Sequence, residues 1–339
     1  MSDNPIVSVS DLHVEFANRR LVGGAKSVRA VDGVSFAVQP GEVFCIAGES
    51  GSGKTTLGRA LLGLVPPTSG AISVAGLDVG TARGKPMRAL RRRAQMIFQD
   101  PMGSLNPRQT VYEIVAEPIR IHGLEGNEEE LVAAALGRAG LRPPERFFLS
   151  YPHELSGGQR QRAIIASALI LEPDVLVADE PVSMLDASVR GEILRLLVEL
   201  KASMGLTLVL ITHDLGFAWA LADRIAVMYL GKVVELGPAE SVLTRPLHPY
   251  TRSLIAASPE IGRRSTPHVL LGEPPNPSEI PAGCRFHPRC PALDSGQAAA
   301  VADLCRADIP ELVELAPAHF AACHLVQAEA GILPAVSRG

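Results

Sequence analysis

The stretch Gly48-Glu49-Ser50-Gly51-Ser52-Gly53-Lys54-Thr55 constrains this chain more than any other feature. It fits the pattern G-x-x-x-x-G-K-[ST] and follows directly on the apolar run Val43–Ala47. Glycines let the backbone curl until successive N–H groups point at one place, the geometry that holds phosphate oxygens. A helix starting near Thr55 aims its positive end at the same anion. Lys54 offers a mobile cation to the β- and γ-phosphates, and the Thr55 hydroxyl is a Mg²⁺ ligand type. An incidental glycine-rich turn is the weaker reading, because a strand pattern precedes the loop and a helix pattern follows it.

A phosphate loop needs an acidic partner for its metal, and Val175-Leu176-Val177-Ala178-Asp179-Glu180 supplies one at the end of a second apolar run. Ligand sites of α/β proteins lie at the carboxyl ends of such strands. Asp179 is placed to hold Mg²⁺ and Glu180 to orient or deprotonate the attacking water. The apolar runs Val175–Ala178 and Leu206–Ile211, separated by the helical pattern Val189–Met204, indicate a parallel sheet covered on both faces. Ahead of the loop, Ile6–Phe16 alternates as a half-buried strand and Val34–Val38 ends at Pro40-Gly41. Gly70–Val79 is a further strand-like piece. From about Asp100 to Ala168 the pattern is helical, with Asn127 as an N-cap before Glu128–Glu130. Ile225–Leu236 predicts a hairpin turning at Leu230-Gly231-Lys232.

Composition excludes several alternatives. The chain has 339 residues, is 47% hydrophobic and carries a net charge of −4, which is too apolar for disorder and too acidic for a general nucleic-acid binder. No apolar run approaches the roughly 20 residues that cross a bilayer. Met1-Ser2-Asp3-Asn4-Pro5 is unlike the start of a secretory signal, so a cytosolic chain with reduced thiols is expected. Arg88, Arg91, Arg92 and Arg93 form one basic cluster without interleaved aromatics, and read as a solvated or subunit-facing surface.

Leu155-Ser156-Gly157-Gly158-Gln159, twenty residues before Asp179 when counted from Gln159, separates kinases and GTPases from a third class. With this pentapeptide the sequence resembles the ABC ATPases, whose signature motif it matches. The resemblance implies an α/β P-loop ABC ATPase fold, with an antiparallel β subdomain, a helical subdomain near 100–170 and a nucleotide-binding domain over 1–245. It implies ATP and Mg²⁺ bound by Gly48, Ser50, Gly51, Ser52, Gly53, Lys54, Thr55, Thr56 and Gln99, with Thr55, Gln99 and Asp179 on the metal. Glu180 and His213 take the catalytic positions, Asp186 falls in the D-loop, and Phe16 occupies the register of the adenine-stacking aromatic. In this family two ATPase chains pack head to tail, so the signature of one closes over the phosphate loop of the other.

Gln99–Pro107, Asp179–Ser183 and His248–Leu254 are similar to the oligopeptide/dipeptide permease branch, which also includes ATPases for nickel, glutathione and some oligosaccharides. That branch implies an importer ATPase on the cytoplasmic face of the membrane. Its partners would be two integral membrane permease subunits, a second and paralogous ATPase, and an extracytoplasmic solute-binding protein. A soluble ABC ATPase acting on DNA or ribosomes is the rival from another class. A Pro-rich connecting segment is expected over 246–283 and a Cys-rich extension over 284–339. There Cys284, Cys290, Cys305 and Cys323 make C-x5-C-x14-C-x17-C, which suits Zn²⁺ or a [4Fe–4S] cluster equally on chemistry. The resemblance favours iron–sulfur, with His287, His319 and His324 as substitutes for Cys305. Cys45 reads as a small buried apolar residue.

Overall fold

A computed structural model describes residues 4–18, 26–258 and 275–333. The chain opens with β1 (Val7–Asn18), β2 (Lys26–Val38), β3 (Val43–Ala47), α1 (Lys54–Leu61), β4 (Ser69–Val74) and β5 (Leu77–Asp78). It continues through α2 (Lys85–Arg93), β6 (Ala94–Ile97), α3 (Pro101–Ser104), α4 (Val111–His122), α5 (Glu128–Arg138) and α6 (Gly157–Leu169). Then come β7 (Val175–Asp179), α7 (Ala187–Met204), β8 (Thr207–Thr212), α8 (Leu215–Leu221), β9 (Arg224–Tyr229) and β10 (Lys232–Pro238). The last part holds α9 (Ala239–Thr244), α10 (Pro249–Ala256), α11 (Pro291–Asp294), α12 (Ala302–Ala307), β11 (Val313–Ala316), β12 (His319–Ala321) and α13 (His324–Glu329).

Two sheets result. The smaller is antiparallel in the order β2-β1-β4-β5, and the larger runs β11-β12-β10-β9-β3-β8-β7-β6. In the larger sheet β3 lies parallel to both β8 and β9, and β7 is parallel to β6 and β8. The apolar run of β3 serves two cores at once. Phe44 and Ile46 pack with Val31, Leu57, Ile72 and Val209 between the sheets, while Val43, Cys45 and Ala47 join the core under the helices. A strand buried on both faces has no place for alternation, which is why its sequence shows none. Cys45 is wholly buried and its thiol is pushed up by that burial, in keeping with a packing role.

The helical region expected over 100–170 consists of α3 to α6 with two short 3₁₀ turns. Asn127 caps α5 by accepting from the Glu129 N–H at 3.1 Å. The expected hairpin is β9–β10, with Tyr229 opposite Lys232. The basic cluster lies on α2, and three of its arginines occupy the last turn, where cations offset the exposed carbonyls. Arg93 also reaches Asp174 at 2.5 Å.

The region after 245 is less separate than its composition suggests. β12 pairs antiparallel with β10, Glu235 opposite Ala321, so the tail extends the main sheet. Within 246–283, α10 is a packed helix whose Tyr250 is wholly buried. Tyr229, Tyr250 and Phe286 pack as a group of tilted and edge-on rings with centroids 4.6–5.2 Å apart. Residues 259–274, including the start of the proline-rich stretch, lie outside the described residues.

A buried polar knot ties α10 to β10. Glu235, fully buried, accepts from the N–H groups of Leu247 and His248 at 2.8 and 2.9 Å, and lies 2.7 Å from His319 Nε2. His248 Nδ1 accepts from the Tyr250 N–H at 3.0 Å, capping α10. Burial, only partly opposed by Glu235, pushes the His248 pKa down to about 4 from 6.5. The folded state therefore holds the ring neutral, and the stability this gives is full above about pH 6.5 and lost as pH falls towards 4. The urea midpoint should drop across that window, and His248→Asn, which keeps a capping acceptor, should flatten the drop. An unchanged pH profile in the variant would assign the loss to other groups.

Candidate nucleotide site

The phosphate loop connects the end of β3 to α1, and sterics dictate its glycines. Gly48, Gly51 and Gly53 have φ of 149°, 78° and 103°. A Cβ on Gly48 would lie 2.2 Å from the Met228 carbonyl oxygen, and one on Gly53 would lie 2.0 Å from that of Ala30. Both distances exclude any side chain. The Lys54 ammonium, buried beneath the loop, donates to the carbonyls of Gly48 and Glu49 at 2.7 and 2.8 Å. Burial lowers its pKa, while Glu180 and Asp179 pull the other way.

The acidic pair stands at the end of β7, next to β8 and one strand removed from β3. Thr55 Oγ1 donates to Asp179 Oδ1 at 3.1 Å. Asp179 Oδ2 is buried with no hydrogen-bond partner among the described residues, and burial raises the carboxyl pKa. A buried carboxylate oxygen left open beside a threonine hydroxyl suits a Mg²⁺ shell of oxygen donors. Ser52 Oγ is likewise buried and unpaired among the described residues.

Glu180 sits at φ 47°, a left-handed conformation that costs a non-glycine residue roughly 1–3 kcal/mol. Its N–H donates to the Ile211 carbonyl at 2.9 Å, which helps hold the turn. Both carboxylate oxygens are then fixed from outside β7. Gln99 Nε2 donates to Oε2 at 2.8 Å, and His213 Nδ1 lies 3.0 Å from Oε1. Two residues, from just beyond the ends of β6 and β8, thus converge on the Glu180 carboxylate.

A cavity of about 200 Å³ lies over the loop, lined by Ser50, Gly51, Gly53, Lys54, Thr55, Thr56, Gln99 and Glu180. Val28, Arg29, Ala30, Leu230 and Gly231 close it on one side, and Pro277 and Ile280 from the proline-rich segment add to the lining. Sequence reading missed these last residues because nothing in their local pattern marks them. Only the turn at Leu230-Gly231 gave a signal, without indicating what it faced. Phe16 is outside this lining; it lies opposite Val28 on β1 and is about half exposed.

The signature residues also lie outside the cavity lining. Ser156 caps α6, accepting from the Gln159 N–H at 3.3 Å while Gln159 Oε1 accepts from the Ser156 N–H at 2.9 Å. The local function of Gly158 is packing: a Cβ there would lie 2.7 Å from Val189 on α7. Ser156 and Gly157 remain exposed at the helix start, outside the lining of this chain's own cavity. Asp186 caps α7 through the Val189 N–H at 3.0 Å, which lowers its pKa.

The four tail cysteines lie close enough to influence one another electrostatically, and burial pushes Cys284 and Cys305 up to about 12. Backbone N–H groups point at the sulfurs of Cys284, Cys290 and Cys323. Yet among the described residues no group of three or more His, Cys, Asp or Glu side chains is arranged to hold a metal ion. The expected four-sulfur site is therefore present in its donors and not in a closed arrangement. The histidine substitutes are occupied elsewhere: His319 meets Glu235, His324 Nε2 meets the Asp308 carbonyl, and His287 Nδ1 meets that of Cys284.

Residues 31–183 match the family model described as ABC transporter. Residues 234–295 match that of the oligopeptide/dipeptide transporter C-terminal region. A Bacillus subtilis protein, the oligopeptide transport ATP-binding protein AppF, is 44% identical over 88% of this chain and 90% of its own length. This chain belongs to the ABC transporter ATPases of the oligopeptide/dipeptide family. A Brucella ovis protein whose name is that of a peptide import ATP-binding protein is 42% identical over 95% of this chain and 98% of its own. The dimeric ATP-binding cassette MJ0796, solved in a post-hydrolysis state with ADP and Pi, superposes with a TM-score of 0.61 at 29% identity. That match covers 69% of this chain and 98% of MJ0796.

We propose that Glu180, its carboxylate held by Gln99 and His213, is the general base of hydrolysis. Glu180→Gln should keep ATP binding within a few-fold and lower turnover by about a hundredfold or more. Turnover within threefold of wild type would remove Glu180 from that role.

Proposed function

We propose that the chain is the ATP-hydrolysing subunit of a peptide importer, bound at the cytoplasmic face of the membrane to two integral permease subunits. The convergence of Gln99 and His213 on the Glu180 carboxylate, beside a phosphate loop, carries this reading. The names of the relatives point to peptides as the solute. Among the described residues no helix is long and apolar enough to cross a membrane, so translocation would fall to other subunits.

The residues divide the work as follows. The N–H groups from Ser50 to Thr56 and the Lys54 ammonium hold the β- and γ-phosphates. Thr55 and Asp179, with Gln99, would hold Mg²⁺, which when bound offsets phosphate charge and polarises the γ-phosphoryl group. Glu180 takes the proton of the attacking water, its geometry fixed by Gln99 and His213. The signature Leu155-Ser156-Gly157-Gly158-Gln159 acts on the partner's site: Ser156 and the free start of α6 present donors to a γ-phosphate there. Asp186 lies in the segment that links the two sites. The second ATPase is a paralogue, and an extracytoplasmic binding protein delivers the solute. Phe16 is retained as the adenine-facing aromatic; it lies opposite Val28, which lines the cavity.

The tail cysteines Cys284, Cys290, Cys305 and Cys323 are proposed to hold a [4Fe–4S] cluster, with zinc as the alternative. Support comes from four largely buried thiols near one another and from N–H groups directed at three of the sulfurs, which partly oppose the rise in thiol pKa that burial causes. Closing the site requires the side chains to turn towards a common centre.

Two measurements test these assignments. In the reconstituted complex, peptide-loaded binding protein should raise ATPase activity several-fold, whereas nickel, glutathione or an oligosaccharide should not. Stimulation by one of those solutes alone would overturn the peptide assignment. Chain purified without oxygen should contain close to four iron and four sulfide. Zinc near one per chain without iron would replace the cluster by a structural ion.

A further inference from the structure

The cysteine-bearing tail reaches the phosphate loop directly. Arg289, next to Cys290 and itself buried, places Nη1 at 2.9 Å from Glu49 Oε2 and Nη2 at 3.3 Å from Oε1. Nη1 also donates to the Tyr229 hydroxyl at 3.3 Å. Glu49 is the second residue of the loop. Its N–H donates to the hydroxyl of fully buried Tyr250 at 2.9 Å, and its carbonyl accepts from Lys54 at 2.8 Å. One loop residue is thus gripped at carboxylate, N–H and carbonyl, the first two from chain segments more than 200 residues away.

A second arginine from the tail braces a residue of the cavity wall. Arg285, next to Cys284, bonds to the Leu230 carbonyl and to the Asp32 carboxylate. Leu230 and Gly231 line the cavity, and the Gly231 N–H donates to the Ser52 carbonyl at 2.8 Å.

The consequence follows from the loop's composition. A segment with three glycines has many conformations open to it, and binding phosphate requires one. Fixing Glu49 beforehand lowers the ordering cost that nucleotide binding must meet. Removing Arg289 alone leaves the largely buried Glu49 carboxylate without its cation, so folding is checked in each variant, whereas replacing both partners removes that unpaired charge and isolates the effect on the loop's geometry.

We propose that Arg289, acting through Glu49 together with Tyr250, is a positioning residue for ATP. It makes the cysteine-bearing tail a brace on the phosphate loop, so that nucleotide affinity depends on the tail's seating. This rests on the ATPase reading, and the wild-type control separates the two: a wild-type chain that fails to bind ATP would count against that reading first.

The test measures Mg-ATP affinity calorimetrically, with KM and kcat, on the full-length chain. Arg289→Met should raise Kd and KM about tenfold with kcat within twofold, and Arg289→Lys should recover much of the loss. Tyr250→Phe should raise Kd about threefold without changing the melting temperature. Glu49→Gln combined with Arg289→Met should bind no more than twofold worse than Arg289→Met alone. Unchanged Kd in a folded Arg289→Met protein would overturn the proposal, as would multiplicative effects in the double variant. A fall in kcat with KM unchanged would do the same. Should Arg289→Met fail to fold, Tyr250→Phe and Glu49→Gln decide: wild-type affinity in both overturns it.

Discussion

The carbonyl oxygens of Met228 and Ala30 press against the phosphate loop so closely that neither Gly48 nor Gly53 could carry a side chain. Much of the site depends on that approach. It requires β9 beside β3 in the large sheet and β2 of the small sheet close against the loop. It also brings Leu230 and Gly231 to the cavity wall. Once β3 is central, the ends of β7 and β8 lie on the same side of the sheet, and Asp179, Glu180 and His213 arrive beside the loop from separate strands.

Charge is handled economically around this loop. Burial lowers the Lys54 pKa, the carboxylates of Glu180 and Asp179 oppose that shift, and the side chain donates to loop carbonyls that hold it in place. Glu180 accepts a strained backbone to present its carboxylate, whose two oxygens are tied to residues from β8 and the segment after β6. Such fixed geometry favours a γ-phosphate and a water held in line over any looser arrangement. The exposed start of α6, by contrast, lies outside the lining of the chain's own cavity, in keeping with the proposal that it acts on a second chain's site.

The sequence was legible where chemistry and local pattern coincide. The loop glycines, Asp179 and Glu180 at a strand end, and the cap at Asn127 are each fixed by neighbours a few residues away. So is the β9–β10 turn. Gly158 was legible as part of a motif but not in its local duty, because its contact is with Val189 on another helix. Pro277, Ile280, Tyr250 and Arg289 were illegible as site residues, since their partners at the loop lie more than 200 positions away. The tail's strands were missed for a similar reason: short β12 gains its identity by pairing with distant β10, and short β11 by pairing with β12.

The central claim is that one chain carries half of each ATP site. The most direct test is the ATPase rate per chain, measured with the full-length chain across a wide range of concentrations. The account predicts that the specific rate climbs with concentration, because each loop needs a second chain's Ser156 and Gly157. A specific rate that stays constant down to concentrations where the chain is monomeric by light scattering would contradict it.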